Sequence, residues 1–173
     1  MKITIKKIEV ADAEILSAIA KQTFYDTFTE TCTEDDMQHF LEKYFNTPLI
    51  KKELEEEDCF NLFAEIDNIP IGYIRFKEDY SDYPFKEKYK AIELKRLYIQ
   101  KEFHGKGIAQ RMMDIYLDYA NENNYELAWL GVWEYNFKAQ KFYGRYGFTD
   151  SGFRHDFPIG NTPQTDCWYW KFL

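Results

Sequence analysis

Residues 104–109, HGKGIA, place two glycines just before a run with helical spacing and just after a run with strand character. Gly105 and Gly107 let a backbone approach a ligand closely. The first turn of a helix offers main-chain N–H groups that have no acceptor inside the helix. Together these suit an anion, a pyrophosphate in particular, with Lys106 and Arg111 adding positive charge. The segment is not a Walker A loop, because G-x-x-x-x-G-K-[ST] is absent, and two glycines are too few for a dinucleotide fingerprint. Two glycines before a helix also fit an ordinary tight turn.

A second cluster lies in WLGVWEYNFKAQKFYGRYGF, residues 129–148. On the helix expected from Asn136 to Tyr146, Asn136, Ala139 and Tyr143 are three and four apart and share a face. An amide and a phenol on one face beside a strand end can hold a polar ligand. Tyr143 as a plain core residue fits the same spacing.

The preceding strand, 91–99 (AIELKRLYI), changes phase. Ile92 and Leu94 are apolar in one register, Leu97 and Ile99 in the other. A slip of one residue is what a β-bulge produces, and a bulge frees main-chain groups for a ligand. The competing reading makes Lys95 and Arg96 a solvated pair at a strand edge.

The elements that must position these residues follow from periodicity. Residues 3–8 read as a strand. Asp12 caps a helix whose apolar positions include Ile15, Leu16, Ile19, Ala20 and Phe24. Thr33 opens a second helix with Met37, Phe40, Leu41 and Tyr44 as its buried stripe, and Thr47-Pro48 opens a third. The acidic run 55–58 ends it as solvated surface. Residues 59–66 and 69–76 form a hairpin across Asp67-Asn68. Residues 78–90 read as a mobile polar loop. A strand at 91–99, a helix from Gly107 to about Glu122, a buried strand at 127–133 and the Asn136–Tyr146 helix ended by Gly147 follow. Strands at about 148–157 and 165–172 close the chain. The β-α-β-α run from 91 to 146 requires a parallel crossover, hence a mixed α/β sheet.

The 173 residues suffice for one domain, 1–173, with a core that needs no staples. Aromatic residues make up 19% of the chain, enough for a thick core or an aromatic cleft. The formal charge, 22 minus 30 or −8, repels phosphate backbones and disfavours nucleic acid as a partner. It favours a cationic small molecule. Cys32, Cys59 and Cys167 are scattered, as reduced thiols of a cytoplasmic protein are. His39, His104 and His155 form no metal motif, so no metal is expected. The N-terminus lacks an apolar signal region and no run approaches 18 apolar residues, so neither secretion nor a membrane is expected.

The two clusters together resemble the GNAT superfamily of acyl-CoA-dependent N-acetyltransferases. Its pattern Q/R-x-x-G-x-G/A is met at Gly107 and Ala109, with His104 in place of Gln or Arg. Its later pattern N-x-x-A-x-x-F-Y-x-x-x-G-F is met in full by Asn136, Ala139, Phe142, Tyr143, Gly147 and Phe148. QTFYDTF (22–28), IGYIRF (71–76), WLGVWEYN (129–136) and QTD (164–166) resemble, more narrowly, the PaiA-type spermidine/spermine N-acetyltransferases.

The resemblance implies the GNAT fold: one mostly antiparallel sheet of about seven strands with a splayed parallel central pair, flanked by helices. It implies acetyl-CoA as cosubstrate, its pantetheine arm against the backbone of Leu97, Tyr98 and Ile99. Its pyrophosphate would lie on His104, Gly105, Lys106, Gly107, Ile108 and Ala109, with Asn136 touching the pantetheine. Tyr143 would protonate the leaving thiolate as general acid, and Glu93 would serve as base through water. The alternative for Glu93 is a solvated residue or a lysine partner. The acceptor would be a cationic primary amine, a polyamine such as spermidine above all, drawn to Asp26, Glu30, Glu34, Asp79 and Asp82. A peptide N-terminus or another small amine is the rival acceptor, and a non-catalytic acyl-CoA-binding module the rival of another class. A homodimer is compatible with either.

Overall fold

A computed structural model describes residues 2–173. Strand β1 (Ile3–Lys7) leads into three helices, α1 (Ala13–Phe28), α2 (Glu34–Tyr44) and α3 (Thr47–Leu54). The hairpin β2 (Cys59–Ile66) and β3 (Ile69–Lys77) follows, then β4 (Ala91–Ile99), α4 (Ile108–Glu122), β5 (Leu127–Trp133), α5 (Phe137–Arg145), β6 (Thr149–Asp156) and β7 (Thr165–Phe172).

Local chemistry sets these boundaries. The Thr33 hydroxyl accepts from Asp36 N–H at 3.1 Å and the Asn46 side-chain oxygen from Leu49 N–H at 2.9 Å, so α2 and α3 begin at capped termini. Asp67 and Asn68 both take positive φ, 51° and 63°, as a two-residue turn whose twist matches the flanking strands requires.

The seven strands form one sheet in the order β1-β2-β3-β4-β5-β7-β6. Every neighbouring pair is antiparallel except β4–β5. One face packs on α4 and α5 through Ile92, Leu94, Ile108, Met112, Tyr116 and Tyr143. The other packs on α1–α3 through Phe24, Phe28, Phe40, Phe63 and Tyr73.

Four expectations are corrected. Residues 78–90 are not a free polar loop: Phe85 is buried against Trp170, centroids 4.7 Å apart, and Tyr83 meets Trp129 edge-on at 5.6 Å. Its aromatic residues outweigh its polar composition, because each buries a large apolar area. Ile15 and Tyr44 stand exposed, 49% and 41%, at the margins of their helical stripes. The run 55–58 is not wholly solvated, since Glu56 pairs with Arg75 and Lys77. Lys95 and Arg96 are not a solvated edge pair; each binds carboxylates that lie against the sheet.

Candidate active site

The central feature is a fork in the sheet. Strands β4 and β5 pair only from Ala91–Leu127 to Leu94–Leu130. Beyond that point β4 stays with β3 as far as Ile99–Gly72, and β5 stays with β7 as far as Trp133–Asp166. The register between β3 and β4 shifts where Arg75 faces Arg96 but Phe76 faces Leu94, leaving Lys95 as the extra residue. The sequence's phase change is therefore a bulge, and it sits where the strands part.

The bulge decides which main-chain groups face the gap. Gln100 N–H donates to Ile71 O at 2.9 Å, so Gln100 and Tyr98 bond toward β3. Leu97 and Ile99, in the alternate phase, direct their N–H and C=O toward β5, where no strand meets them. Gly72 permits the close β3–β4 approach beside them, since a Cβ there would stand 2.7 Å from Tyr98 O.

The gap leads to the N-terminus of α4. Gly105 and Gly107 have φ of 75° and 78°, and a Cβ on either would meet nothing within 4 Å. The first helical bond runs from Arg111 N–H to Gly107 O, and the amides of Ile108, Ala109 and Gln110 have no acceptor among the described residues. An open surface above unbonded amides fits an anionic group.

The charged residues expected here divide. Lys106 Nζ lies over the Phe103 ring at 4.8 Å, beside the loop. Arg111 turns away and donates to Ile3 O at 2.8 Å. The His104 ring points back to the fork: Nε2 lies 2.8 Å from Ile99 O, and Nδ1 lies 3.1 Å from Lys138 Nζ. In the tautomer that carries its proton on Nε2, the ring donates to the Ile99 carbonyl and accepts from the Lys138 ammonium. It thereby ties Lys138, at the start of α5, to the end of β4. Sequence reasoning missed Lys138, and 34 residues of separation leave no local signal for that pair.

Asn136 caps α5, its side-chain oxygen accepting from Ala139 N–H at 3.1 Å. Its amide N–H₂ has no partner among the described residues. Tyr143 is 9% exposed, and burial alone raises its pKa, keeping the phenol protonated. Its hydroxyl has no hydrogen-bond partner among the described residues.

On the α1–α3 face, a cleft of about 400 Å³ runs beneath the fork. One wall is a continuous alternation of charge. Arg96 binds Glu53 through two bonds of 2.7 and 3.0 Å, and Glu53 meets Arg75 at 2.8 Å. Arg75 meets Glu56 at 2.8 Å, and Glu56 meets Lys77 at 2.9 Å. Lys77 reaches Asp79 at 3.7 Å, Asp79 meets Lys95 at 2.8 Å, and Lys95 meets Glu93 at 2.7 Å. Four cations thus alternate with four carboxylates. Asp79, expected to receive an acceptor, is committed to Lys95, which holds its pKa well below the usual range against the opposing effect of burial.

Glu93 ends this chain with its side chain 7% exposed. Burial pushes its pKa up to about 7, with Lys95 opposing and Asp79 and Asp82 adding to the rise. Lys95 approaches Oε2 outside hydrogen-bonding angles, so that oxygen has a charge beside it but no aligned donor. Asp166 lies on the opposite wall. Burial raises its pKa to about 7 as well, and no cation opposes it. The sequence marked Asp166 only as part of QTD.

The family model for the acetyltransferase (GNAT) family matches residues 20–148. An uncharacterized N-acetyltransferase of Lactobacillus delbrueckii subsp. lactis is 29% identical over 164 residues, covering 94% of each chain. The crystal structure of PaiA N-acetyltransferase from Thermoplasma acidophilum in complex with coenzyme A superposes with a TM-score of 0.79 at 21% identity, over the whole of both chains. Arabidopsis thaliana NAA60, in complex with a bisubstrate analogue, superposes with a TM-score of 0.73 at 16% identity, over 99% of this chain and 98% of its own. At such identities the two structures speak to the fold alone.

Proposed function

The chain belongs to the GNAT acetyltransferase family, and from that premise we propose that it moves the acetyl group of acetyl-CoA onto a primary amine, a polyamine such as spermidine or spermine, by direct attack. The observation that carries this reading is the fork after Leu94 and Leu130, with the Leu97 amide directed into it and the unbonded α4 amides at its end.

In this reading Leu97, Tyr98 and Ile99 line the thioester arm. Leu97 N–H donates to the thioester oxygen as negative charge develops there, a stabilisation that is strongest when the donor is fixed in advance. Gly105, Lys106, Gly107, Ile108 and Ala109 hold the pyrophosphate through the open backbone and the helix terminus. His104 serves that surface indirectly, by placing Lys138. Asn136 offers its free amide N–H₂ to the pantetheine.

Two protons must move. An alkyl ammonium resembling lysine is about 0.04% neutral at pH 7, so presenting the free amine costs roughly 4–5 kcal/mol. Glu93, with a pKa brought up to about 7, accepts that proton through water, because its affinity for protons suits neutral pH. Tyr143, buried and protonated, donates to the departing thiolate. Its buried, unpartnered hydroxyl supports the assignment.

The test is a panel of amines assayed by CoA release: spermidine, spermine, diaminoalkanes and a peptide with a free N-terminus. Turnover of polyamines ahead of the peptide is expected. Turnover of the peptide alone would move the acceptor to a polypeptide N-terminus, and acetyl-CoA binding without any turnover would leave a binding module.

A further inference from the structure

The ion-paired wall of the cleft balances four cations against four carboxylates, and this changes where an amine can go. Glu53, Glu56, Asp79 and Glu93 each already touch a lysine or arginine. A cation arriving there must displace a bound one. Two carboxylates lining the same cleft have neither a hydrogen-bond donor nor a cation within ion-pair distance among the described residues: Asp82, which is exposed, and Asp166, which is half-buried. Asp82 stands out in solvent, whereas the Asp166 carboxylate, half-buried and unpaired, is open to a cation entering the cleft.

Its place in the sheet is equally specific. Asp166 faces Trp133, three positions beyond the last β5 residue that pairs with β4, so it stands at the level of the open fork. Glu93 faces Trp129, below the fork. The Asp166 carboxylate leans back over Gly131: a Cβ on that glycine would stand 3.2 Å from Oδ2 and 2.9 Å from Trp168 Cζ3. His155, its register partner on β6, does not neutralise it, because the His155 ring lies against Trp168 with centroids 5.0 Å apart. Trp168 and Phe157 supply apolar walls to the same cleft.

We propose that Asp166 is the binding residue for the reacting ammonium group of the acceptor, holding it over Gly131 at the mouth of the fork. The inference rests on the amine acetyltransferase reading above and adds a residue to it. It assigns the acceptor's charge to β7 rather than to the acidic residues of α1, α2 and the 78–90 segment. Trp168 and Phe157 then accompany the alkyl chain, and an aromatic face beside an ammonium adds cation–π attraction. Glu93 remains free to take the proton through water.

The test compares wild type with Asp166→Asn and Asp166→Glu in three measurements: CoA affinity, affinity of the CoA-loaded protein for spermidine by calorimetry, and steady-state acetylation of spermidine. Asp166→Asn is expected to weaken spermidine binding and raise its KM by about tenfold or more, as loss of a charge-assisted bond does, with CoA affinity unchanged. Asp166→Glu, which restores the charge, is expected to recover most of that loss. Spermidine binding unchanged in Asp166→Asn, or a parallel loss of CoA affinity, would overturn the assignment while wild-type turnover leaves the amine reading intact. A wild type that binds CoA but acetylates no amine would overturn both.

Discussion

Lys95 Nζ lies 2.7 Å from Glu93 Oε2, yet the Glu93 carboxyl holds its proton up to about pH 7. Burial of the carboxyl outweighs the attraction of the cation. Both side chains stand on one face of β4 because they are two apart, and Arg96 joins them because the bulge at Lys95 resets the phase. The slip that opens the fork therefore also loads its lower wall with charge.

Glu93→Gln is expected to lower kcat by about 10²-fold, the usual worth of a positioned general base, with little change in CoA affinity. The wild-type rate should rise with pH through about 7 as the carboxyl ionises. Lys95→Met removes the cation that favours the ionised form, so the acidic limb should move to higher pH. A pH–rate profile of each variant checks both signs.

Tyr143→Phe removes only the hydroxyl. A fall in kcat of about 10²-fold is expected, with acetyl-CoA binding preserved because the ring stays in the core. Rapid-quench measurement of CoA release in a single turnover separates this from slow product release. Unchanged turnover would remove Tyr143 from the chemistry.

Asp166 carries a cost in stability. Its folded pKa, raised by burial to about 7, exceeds the unfolded value near 4. The folded state thus binds the extra proton, and stability falls as pH rises from about 4 to 7. Asp166→Asn escapes that loss. It should unfold at a higher temperature than wild type at pH 8, by an amount on the order of 2 kcal/mol, and the difference should vanish near pH 4. Thermal melts across that range check the sign.

Gly107 has φ of 78° with open space where a Cβ would project. Gly107→Ala should therefore cost the free protein only the backbone strain, about 1 kcal/mol. The same methyl would stand on the surface assigned to the pyrophosphate, so CoA affinity should drop much further than stability does. Calorimetry and denaturant unfolding on the one variant separate the two effects.

Much of this was legible along the chain. The bulge followed from the change of phase between Leu94 and Leu97, and the hairpin from Asp67-Asn68, whereas Asn136, read as part of the α5 face, proves to be its cap. These are local signals, carried by neighbours in sequence. The pairing of Arg96 with Glu53, of His104 with Lys138 and of Gln164 with Trp133 was not legible, because folding alone brings those residues together. Asp166 was hidden for the same reason: its isolation from cations is a property of the β5–β7 register. The 78–90 segment misled through its charges, since Tyr80, Tyr83 and Phe85 pack on Trp129 and Trp170 only after the sheet exists.

The most direct measurement follows backbone amide resonances of the ¹⁵N-labelled protein as CoA is added. The largest shifts are expected at Leu97, Ile99, Ile108 and Ala109, the amides that face the fork and the α4 terminus, while Gln100, bonded to Ile71, moves little. Saturation with CoA that leaves those four amides unmoved, or shifts confined to another face of the sheet, would contradict the claim that the fork's main chain grips the acetyl donor.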